Sequence, residues 1–294
     1  MTRITQRLAP AALLVAAMTA PLAAQNAATD PRVGLKAGWM DAGEAIRGLR
    51  HVAHRPRPEG FFNPRDMGDF SLINADLAFS GTTAFMGGYN GVQVWDLATP
   101  SNPTLRATIP CPGGQGDVSV WGNLLFVSVE ENRGRIDCGT GEIPDSVSSA
   151  RFRGVRIFDV TDVTKPRQVA TVQTCRGSHT HTLVTDPKDP ANVYVYVSGT
   201  SPVRPAAELA GCVASDTNPN TALFRIEVIR VPLAAPQEAR VVSTPRLFAD
   251  ARGNVAGLNP GGRPNENAQE VARTDQCHDI TVYPELGLGA GACA

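Results

Sequence analysis

The sequence predicts an all-β fold, a β-propeller built from four-stranded antiparallel blades. Two observations lead to this prediction: short apolar strand patterns recur along the chain in the same order, and the cysteines fall at matching places in these repeats. The 23 prolines and 28 glycines are spread along the chain, which is typical of many short strands joined by turns. A sandwich is the alternative, but it would not need the same signature in every unit, so the repeat favours a propeller.

Composition and charge exclude some classes of function. The 27 basic and 28 acidic residues leave a net charge of −1. Such a balance provides no basic surface for nucleic acid and no attraction to an anionic membrane. With 42% hydrophobic residues, the chain can bury a substantial core, as one large or two ordinary domains.

The N-terminus has the layout of a signal peptide over residues 1–24. Arg3 and Arg7 precede an apolar run, and small residues at 22–24 resemble a cleavage site. Pro10 and Pro21 confine this run to a length that is short for a membrane span. An uncleaved membrane anchor is the alternative. We expect an exported mature protein without a transmembrane segment, periplasmic or extracellular, in which an even number of cysteines indicates disulfides.

Residues 25–73 are predicted to form a short helix and a linker ahead of the blades. Apolar residues in 33–52 are spaced by three and four, which fits one face of a helix, although three glycines weaken it. The segment RPRPEG at 55–60 is predicted to be an extended linker, because its prolines oppose a helix.

Residues 74–294 contain the repeat. Each full unit has strand patterns in the same order, and the third strand of the first two units ends in aspartate. The predicted strands are 76–79, 83–86, 91–97 and 105–109 in the first unit; 117–120, 124–129, 154–160 and 169–172 in the second; 181–184, 193–197 and 225–231 in the third; and 279–282 in a fourth unit that ends within one hairpin. Residues 245–276 are predicted to be a long surface loop.

Two segments, GVQVWDLATPSNP at 91–103 and GVRIFDVTDVTKP at 154–166, resemble the LVIVD repeat of exported bacterial and archaeal β-propellers. The resemblance covers roughly residues 74–294, although Arg230 stands where the third unit should have its aspartate. It implies a propeller fold, whereas the family has no agreed activity. Because a closed propeller has about 4–8 blades, we expect a fragment that is truncated before ring closure, or a ring closed by a second copy.

The blade layout predicts how the cysteines pair. In a propeller blade, the loop into the first strand and the loop between the second and third strands lie on the same face, and the second and third units each place one cysteine in each of these loops. The cysteines could instead ligate a metal, but no Cys-x-x-Cys spacing occurs. The predicted disulfides are Cys111–Cys138, Cys175–Cys212 and Cys277–Cys293.

Polar residues are predicted to gather at the channel mouth, where the first strands begin. We align Asp76, Asp117, His181 and Asp279 across the four units, with His179 and His278 beside them. If the chain is extended there, His179 and His181 point to one side. Three uses remain open for these residues: hydrogen bonds between blades, binding of a ligand or of copper or zinc, and acid–base catalysis.

The sequence contains no Gly-x-Ser-x-Gly elbow, phosphate-binding glycine loop or His-Glu-x-x-His motif. We therefore expect a non-catalytic binding module that uses its disulfide-bearing rim to bind an extracellular protein, glycan or small ligand. The alternative is a metal-dependent, copper-type oxidoreductase, because the architecture is similar to that of the selenium-binding/methanethiol oxidase proteins, which place histidines around their channel. A purely structural surface protein is a third possibility.

Overall fold

A computed structural model describes residues 30–293, except 39, 67, 216, 253–258 and 264. The chain divides into two compact units, Met1–His51 and Val52–Ala294. The signal peptide predicted over residues 1–24 lies outside the described residues. Among the residues that are described, no helix has the length and apolar character needed to cross a membrane.

The first unit shows turns and irregular backbone over its described residues, 30–51 without 39. The helix predicted over residues 33–52 is therefore wrong for these residues. Gly34 and Gly48 adopt φ angles of 77° and 74°, in the left-handed region. A right-handed helix cannot continue through such positions, and glycine adopts them without the steric cost that other residues incur.

The second unit is built from short strands. These are β1 (Asn74–Ser80), β2 (Thr83–Gly88), β3 (Gly91–Asp96), β4 (Thr104–Pro110), β5 (Val118–Trp121), β6 (Leu124–Val129), β7 (Gly154–Asp159), β8 (Arg167–Gln173), β9 (Thr180–Val184), β10 (Asn192–Ser198), β11 (Glu227–Pro232), β12 (Arg240–Ser243), β13 (Cys277–Tyr283) and β14 (Leu288–Cys293). Short 3₁₀ helices span Phe70–Leu72, Pro236–Glu238 and Pro284–Leu286.

The strands form successive blades of a β-propeller. Strands β1–β4, β5–β8 and β9–β12 each make a four-stranded sheet in sequence order, and β13 pairs with β14. The strand pairs within these sheets are antiparallel. Strand β1 contacts β5, β5 contacts β9 and β9 contacts β13, so the first strands of successive sheets lie side by side. The predicted propeller of four-stranded blades, with three blades and part of a fourth, is confirmed.

The repeat extends to irregularities in the sheets. In each complete blade the pairing of the third and fourth strands shifts register directly after the residue that lies two positions before Asp96, Asp159 or the matching Arg230. These shifts lie at Val94/Trp95, Ile157/Phe158 and Val228/Ile229. The third blade therefore keeps the geometry of the first two, although its sequence departs from theirs.

The aspartate that ends the third strand has a local role in the first two blades. Asp96 Oδ1 accepts a hydrogen bond from the backbone N–H of Ala98 at 2.8 Å, and Asp159 Oδ1 accepts one from Thr161 at 2.9 Å. Such a bond from a residue two positions ahead closes an Asx turn and ends the strand. The aspartate of this repeat therefore ends a strand, so its presence indicates the fold and does not indicate an activity.

The core lies between the blades. All six residues of β6 are buried. Leu124 and Phe126 pack in a cluster with blade 3, whereas Leu125 and Val127 pack in a cluster with blade 1. Because successive side chains on a strand point to opposite faces, a strand between two blades needs an unbroken apolar run rather than alternation.

The predicted disulfides Cys111–Cys138, Cys175–Cys212 and Cys277–Cys293 are confirmed, and together they account for all six cysteines. The first two join the loop that enters a blade to the insertion between the second and third strands of that blade. The third joins the two ends of the β13–β14 hairpin. We call the surface formed by the loops of the first two bonds the disulfide-braced rim.

Replacing Cys175 and Cys212 together with serine should lower the free energy of unfolding by about 4 kcal/mol, because the bond closes a long loop in the unfolded chain. The same change at Cys277 and Cys293 should cost about 3 kcal/mol, since the sequence separation is 16 rather than 37. Guanidinium unfolding of the two double variants measures both losses. Unchanged stability in both would contradict the assigned role of the bonds.

Candidate functional site

Two aspartates link neighbouring blades at the starts of the inner strands. Asp76 Oδ2 accepts a hydrogen bond from the backbone N–H of Val118 in the next blade at 2.9 Å. Asp117 Oδ2 accepts one from the backbone N–H of His181 in the following blade, also at 2.9 Å. The same contact thus repeats from blade to blade, and these carboxylates hold the inner strands in register.

His181 does not occupy the position that the sequence alignment gives it. The repeated bond joins an aspartate to Val118 in one case and to His181 in the other, so His181 corresponds to Val118 rather than to Asp117. The predicted alignment is therefore wrong by one residue at His181. Neighbouring residues on a strand point to opposite faces, so a shift of one residue turns the His181 side chain to the other face of its strand. This side chain is 0% exposed and lies between blades, not at the channel mouth.

The surroundings of His181 indicate a structural role. Its Nδ1 lies 2.9 Å from Asp117 Oδ2 and 2.9 Å from Ser128 Oγ. Its Nε2 is buried without a hydrogen-bond partner, and its ring faces Phe126 with the centroids 6.4 Å apart. The imidazole is therefore fixed inside the interface of blades 2 and 3, where no ligand can reach it.

His179 and His278 come together at the rim. Their Nε2 atoms are 2.8 Å apart. His179 Nδ1 lies 2.7 Å from Glu130 Oε2, and His278 Nδ1 lies 3.1 Å from Asp279 Oδ2. The structure thus brings together two of the three predicted histidines, with a carboxylate on the far side of each ring.

Glu130 is the member of this network that sequence reasoning missed. It directly follows the buried strand β6, and an acidic pair after such an apolar run was the available signal. His179 and His181 point toward Glu130 and Ser128, which lie two residues apart, as expected for neighbours in an extended chain. The hydrogen bond to Glu130 raises the pKa of His179, and burial, which lowers it, offsets only part of this effect.

Accessibility differs between the two rings. The His179 side chain is 10% exposed and that of His278 is 60% exposed. The Thr180 hydroxyl donates to the backbone carbonyl of His278 at 3.0 Å, which holds the start of β13 against β9. The histidine pair therefore has one buried, fixed ring and one ring that solvent can reach.

The two blade-linking aspartates have opposite pKa shifts. Burial raises the pKa of Asp76, and the nearby charge of Asp117 adds to this. Burial also works to raise the pKa of Asp117, but hydrogen bonds and the charge of His181 outweigh it and hold that pKa below its usual value. Ionised Asp117 is therefore stabilised by the fold, whereas ionised Asp76 is not.

A second polar site lies beside the Cys175–Cys212 bond, as a cavity of about 460 Å³. Arg225 lines it and pairs with Glu227, with Nη2 3.0 Å from Oε1. The backbone N–H of Cys175 donates to the other carboxylate oxygen of Glu227 at 2.9 Å. Burial raises the pKa of Glu227, and the charge of Arg225 offsets this only in part. The Nε of Arg225 is buried and has no hydrogen-bond partner.

Buried arginines hold the wall of this cavity, and sequence reasoning assigned them no role. Arg204 Nε donates to Glu208 Oε2 at 2.6 Å, and Arg151 pairs with the other oxygen of Glu208. Arg204 also donates to Gln173, which lines the cavity. The available signal was the run of arginines at 151, 153 and 156, at the entry to an otherwise apolar strand.

Within the described part of the chain, no group of three or more His, Cys, Asp or Glu side chains is arranged to hold a metal ion. The six predicted site residues therefore divide into three sets. Asp76 and Asp117, with the buried His181, link blades; His179 and His278 form a pair; and Asp279 lies behind His278.

Comparisons with known proteins add little to this description. No protein-family model matches the chain, and no curated protein matches it. Similar solved structures include a Kuenenia stuttgartiensis hydrazine synthase, with 10% identity, a TM-score of 0.38 and coverage of 73% of this chain and 42% of that chain. YjhT has 11% identity, a TM-score of 0.34 and coverage of 58% and 51%.

A computationally designed protein, Ika4, is also similar, with 9% identity, a TM-score of 0.29 and coverage of 66% of this chain and 99% of that one. The aligned part of this chain spans about half or less of the hydrazine synthase and YjhT chains. Since all three TM-scores lie below 0.5, the assignment of this chain to the β-propeller class rests on its own blades.

Replacing Asp117 with asparagine should lower the free energy of unfolding at pH 7 by about 1–3 kcal/mol, because it removes the ionised partner of His181. The Asp117 pKa is lower in the folded state than the unfolded value of about 3.9. Its contribution is therefore present above about pH 4 and is lost as the pH falls through the folded pKa. Urea unfolding from pH 3 to pH 8 should show the variant and the parent converging in acid.

Asp76→Asn is the matched control, because Asp76 accepts the equivalent backbone bond at the same 2.9 Å. Because the pKa of Asp76 is raised in the folded state, its effect on stability has the opposite pH dependence. The stability that Asp76 contributes is present below its unfolded pKa and is lost as the pH rises through its folded pKa. This variant should therefore lose less stability at pH 7 than Asp117→Asn does. Equal losses for the two variants at every pH would refute the assignment.

Proposed function

We propose that the protein is an exported, non-catalytic LVIVD-type β-propeller that binds a small anionic ligand at its disulfide-braced rim. The observation that carries this proposal is the cavity beside Cys175–Cys212, which is lined by Arg225 with its unpartnered Nε. Three disulfides and the signal-peptide layout of residues 1–24 support export. The segments 91–103 and 154–166 support the LVIVD resemblance.

The hydrogen-bond donors of the cavity favour an anion. Arg225 lines it beside the carboxylate of Glu227, and Arg225 Nε is a buried donor without a partner. Both oxygens of Glu227 already accept hydrogen bonds, from Arg225 and from the backbone of Cys175. Arginine binds carboxylate and phosphate oxygens through a planar set of donors. A ligand oxygen on Arg225 Nε would also remove the cost of a buried unpaired donor, about 1–3 kcal/mol.

The rest of the lining suits a small organic acid rather than a bare ion. Asn220 and Thr244 contribute amide and hydroxyl groups, whereas Leu209 and Val241 contribute apolar surface. Small-ligand sites in proteins combine apolar walls with a few polar groups that fix orientation. The ligand is therefore expected to have a carboxylate or phosphate and a short carbon skeleton.

The copper-type oxidoreductase is the less supported function. Such an enzyme needs a redox-active metal with an open position for its substrate, and the described residues offer at most paired ligands such as His179 and His278. A binding role needs only the cavity and the rim that holds it.

Citrate should raise the thermal unfolding midpoint of the protein in proportion to the logarithm of its concentration, because it binds only the folded state, and inorganic phosphate, which lacks the carbon skeleton, should raise it less. Glucose at the same concentration and ionic strength should not raise it. Arg225→Lys should lose most of the shift with citrate, because lysine keeps the charge but lacks the Nε donor. Differential scanning calorimetry measures each midpoint.

Arg106→Lys is the matched control, since Arg106 is an exposed arginine on blade 1 that pairs with Asp96 at 2.7 Å. It should leave the citrate shift unchanged. Equal shifts in the parent and in Arg225→Lys would show that the anions act outside the cavity, and the proposal would fail. A shift with glucose alone would instead indicate a glycan ligand and overturn the anionic class.

A further inference from the structure

The hydrogen bonds around His179 and His278 fix which ring nitrogens carry hydrogen. A carboxylate at neutral pH can only accept, so His179 Nδ1, 2.7 Å from Glu130, must donate. His278 Nδ1, 3.1 Å from Asp279, must donate as well. A neutral imidazole has a single N–H. Each Nε2 therefore presents a lone pair when its ring is neutral.

The two Nε2 atoms are only 2.8 Å apart. Two lone pairs at this separation repel each other unless a cation lies between them. That cation is either a proton, which makes an N–H···N bond, or a metal ion. The directions in which the rings point distinguish the two possibilities.

The ring arrangement departs from that of a straight hydrogen bond and fits a metal ion between the two nitrogens. A nearly straight N–H···N bond joins the rings tip to tip and separates their centroids by about 5 Å. The observed centroid separation is 4.5 Å, with the ring planes at 53°. Two imidazoles bound at right angles to a metal, with metal–nitrogen distances of about 2.0–2.1 Å, have nitrogens about 2.9 Å apart and centroids about 4.5 Å apart. Tetrahedral binding would need a nitrogen separation of about 3.4 Å.

We propose that His179 and His278 form a two-histidine site for a divalent transition-metal ion, with copper(II) bound most tightly. Imidazole nitrogens suit copper, nickel and zinc, and copper(II) prefers the tetragonal geometry in which neighbouring ligands meet at right angles. Calcium and magnesium require oxygen ligands and do not bind at two imidazoles.

The surroundings of the pair are those of a built metal site. Metal-binding histidines usually donate their other N–H to a carboxylate, as His179 does to Glu130 and His278 to Asp279. The bond from Thr180 to the His278 carbonyl fixes the second ring relative to the first. Because the His278 side chain is 60% exposed, water or a partner can supply the remaining ligands.

This site is separate from the proposed function of the rim cavity, because neither histidine lines that cavity. Loss of metal binding would leave citrate binding intact, and loss of citrate binding would leave metal binding intact. The two proposals can therefore fail independently.

Isothermal titration of the protein, prepared without a histidine tag, should show one equivalent of Cu²⁺ bound, weaker Zn²⁺ binding and no Ca²⁺ binding. His278→Ala should weaken Cu²⁺ binding at least about tenfold, and Glu130→Gln should weaken it about 10–100-fold through the orientation of His179. His54→Ala is the matched control, since His54 is an exposed histidine outside the pair, and it should leave the affinity unchanged.

Electron paramagnetic resonance of the copper-loaded protein gives a readout that does not depend on affinity. The copper signal should show coupling to two imidazole nitrogens in the parent and to one in His278→Ala. Because the His278 side chain is exposed, this substitution should not disturb folding. Absence of Cu²⁺ binding, or binding that is the same in His278→Ala, would overturn the proposal. In either case the pair would be joined by a proton only.

Discussion

Burial of both faces of the second blade, between the first and the third, is the constraint on which the rest of the structure depends. The middle strands of blade 2 form two clusters at once, one with blade 1 and one with blade 3. Each fully buried Leu, Val, Ile or Phe contributes about 1.5–3 kcal/mol, so these interfaces outweigh any single disulfide. Because the apolar side chains of the second blade are used for stacking, the polar groups that a ligand could reach lie at the strand ends and in the loops of the rim.

The rim can therefore hold features that a core would not tolerate. Its insertions contain a small apolar cluster around Cys175, Cys212 and Ala222, and they are fixed in addition by disulfides and by buried ion pairs such as the one between Arg204 and Glu208. A buried ion pair adds little net stability but fixes one arrangement, because breaking it leaves a charge unpaired. This is the physical basis for a preformed cavity beside Cys175, with Arg225 held in position by Glu227.

The sequence predicted what depends on local pattern and on repetition. Strand positions, blade order and disulfide pairing all follow from apolar runs and loops that recur in the same order. It did not predict contacts that depend on how one blade packs on the next: Glu130 meets His179 across an interface, and the position of His181 is set by the hydrogen bond that its backbone N–H donates to Asp117. The helix expected over residues 33–52 failed for a local reason, since Gly34 and Gly48 adopt left-handed backbone angles.

The position of the histidine pair links binding to assembly of the blades. Glu130 follows a strand of blade 2, His179 precedes the first strand of blade 3, and His278 belongs to the hairpin β13–β14. A two-stranded hairpin is marginally stable by itself, and here it is held by its disulfide and by bonds from Thr180 and Thr182. An ion bound between His179 and His278 would add a contact across the junction of this hairpin with blade 3. Because binding to the folded state alone stabilises that state, the metal proposed for this site would strengthen the junction that positions its own ligands.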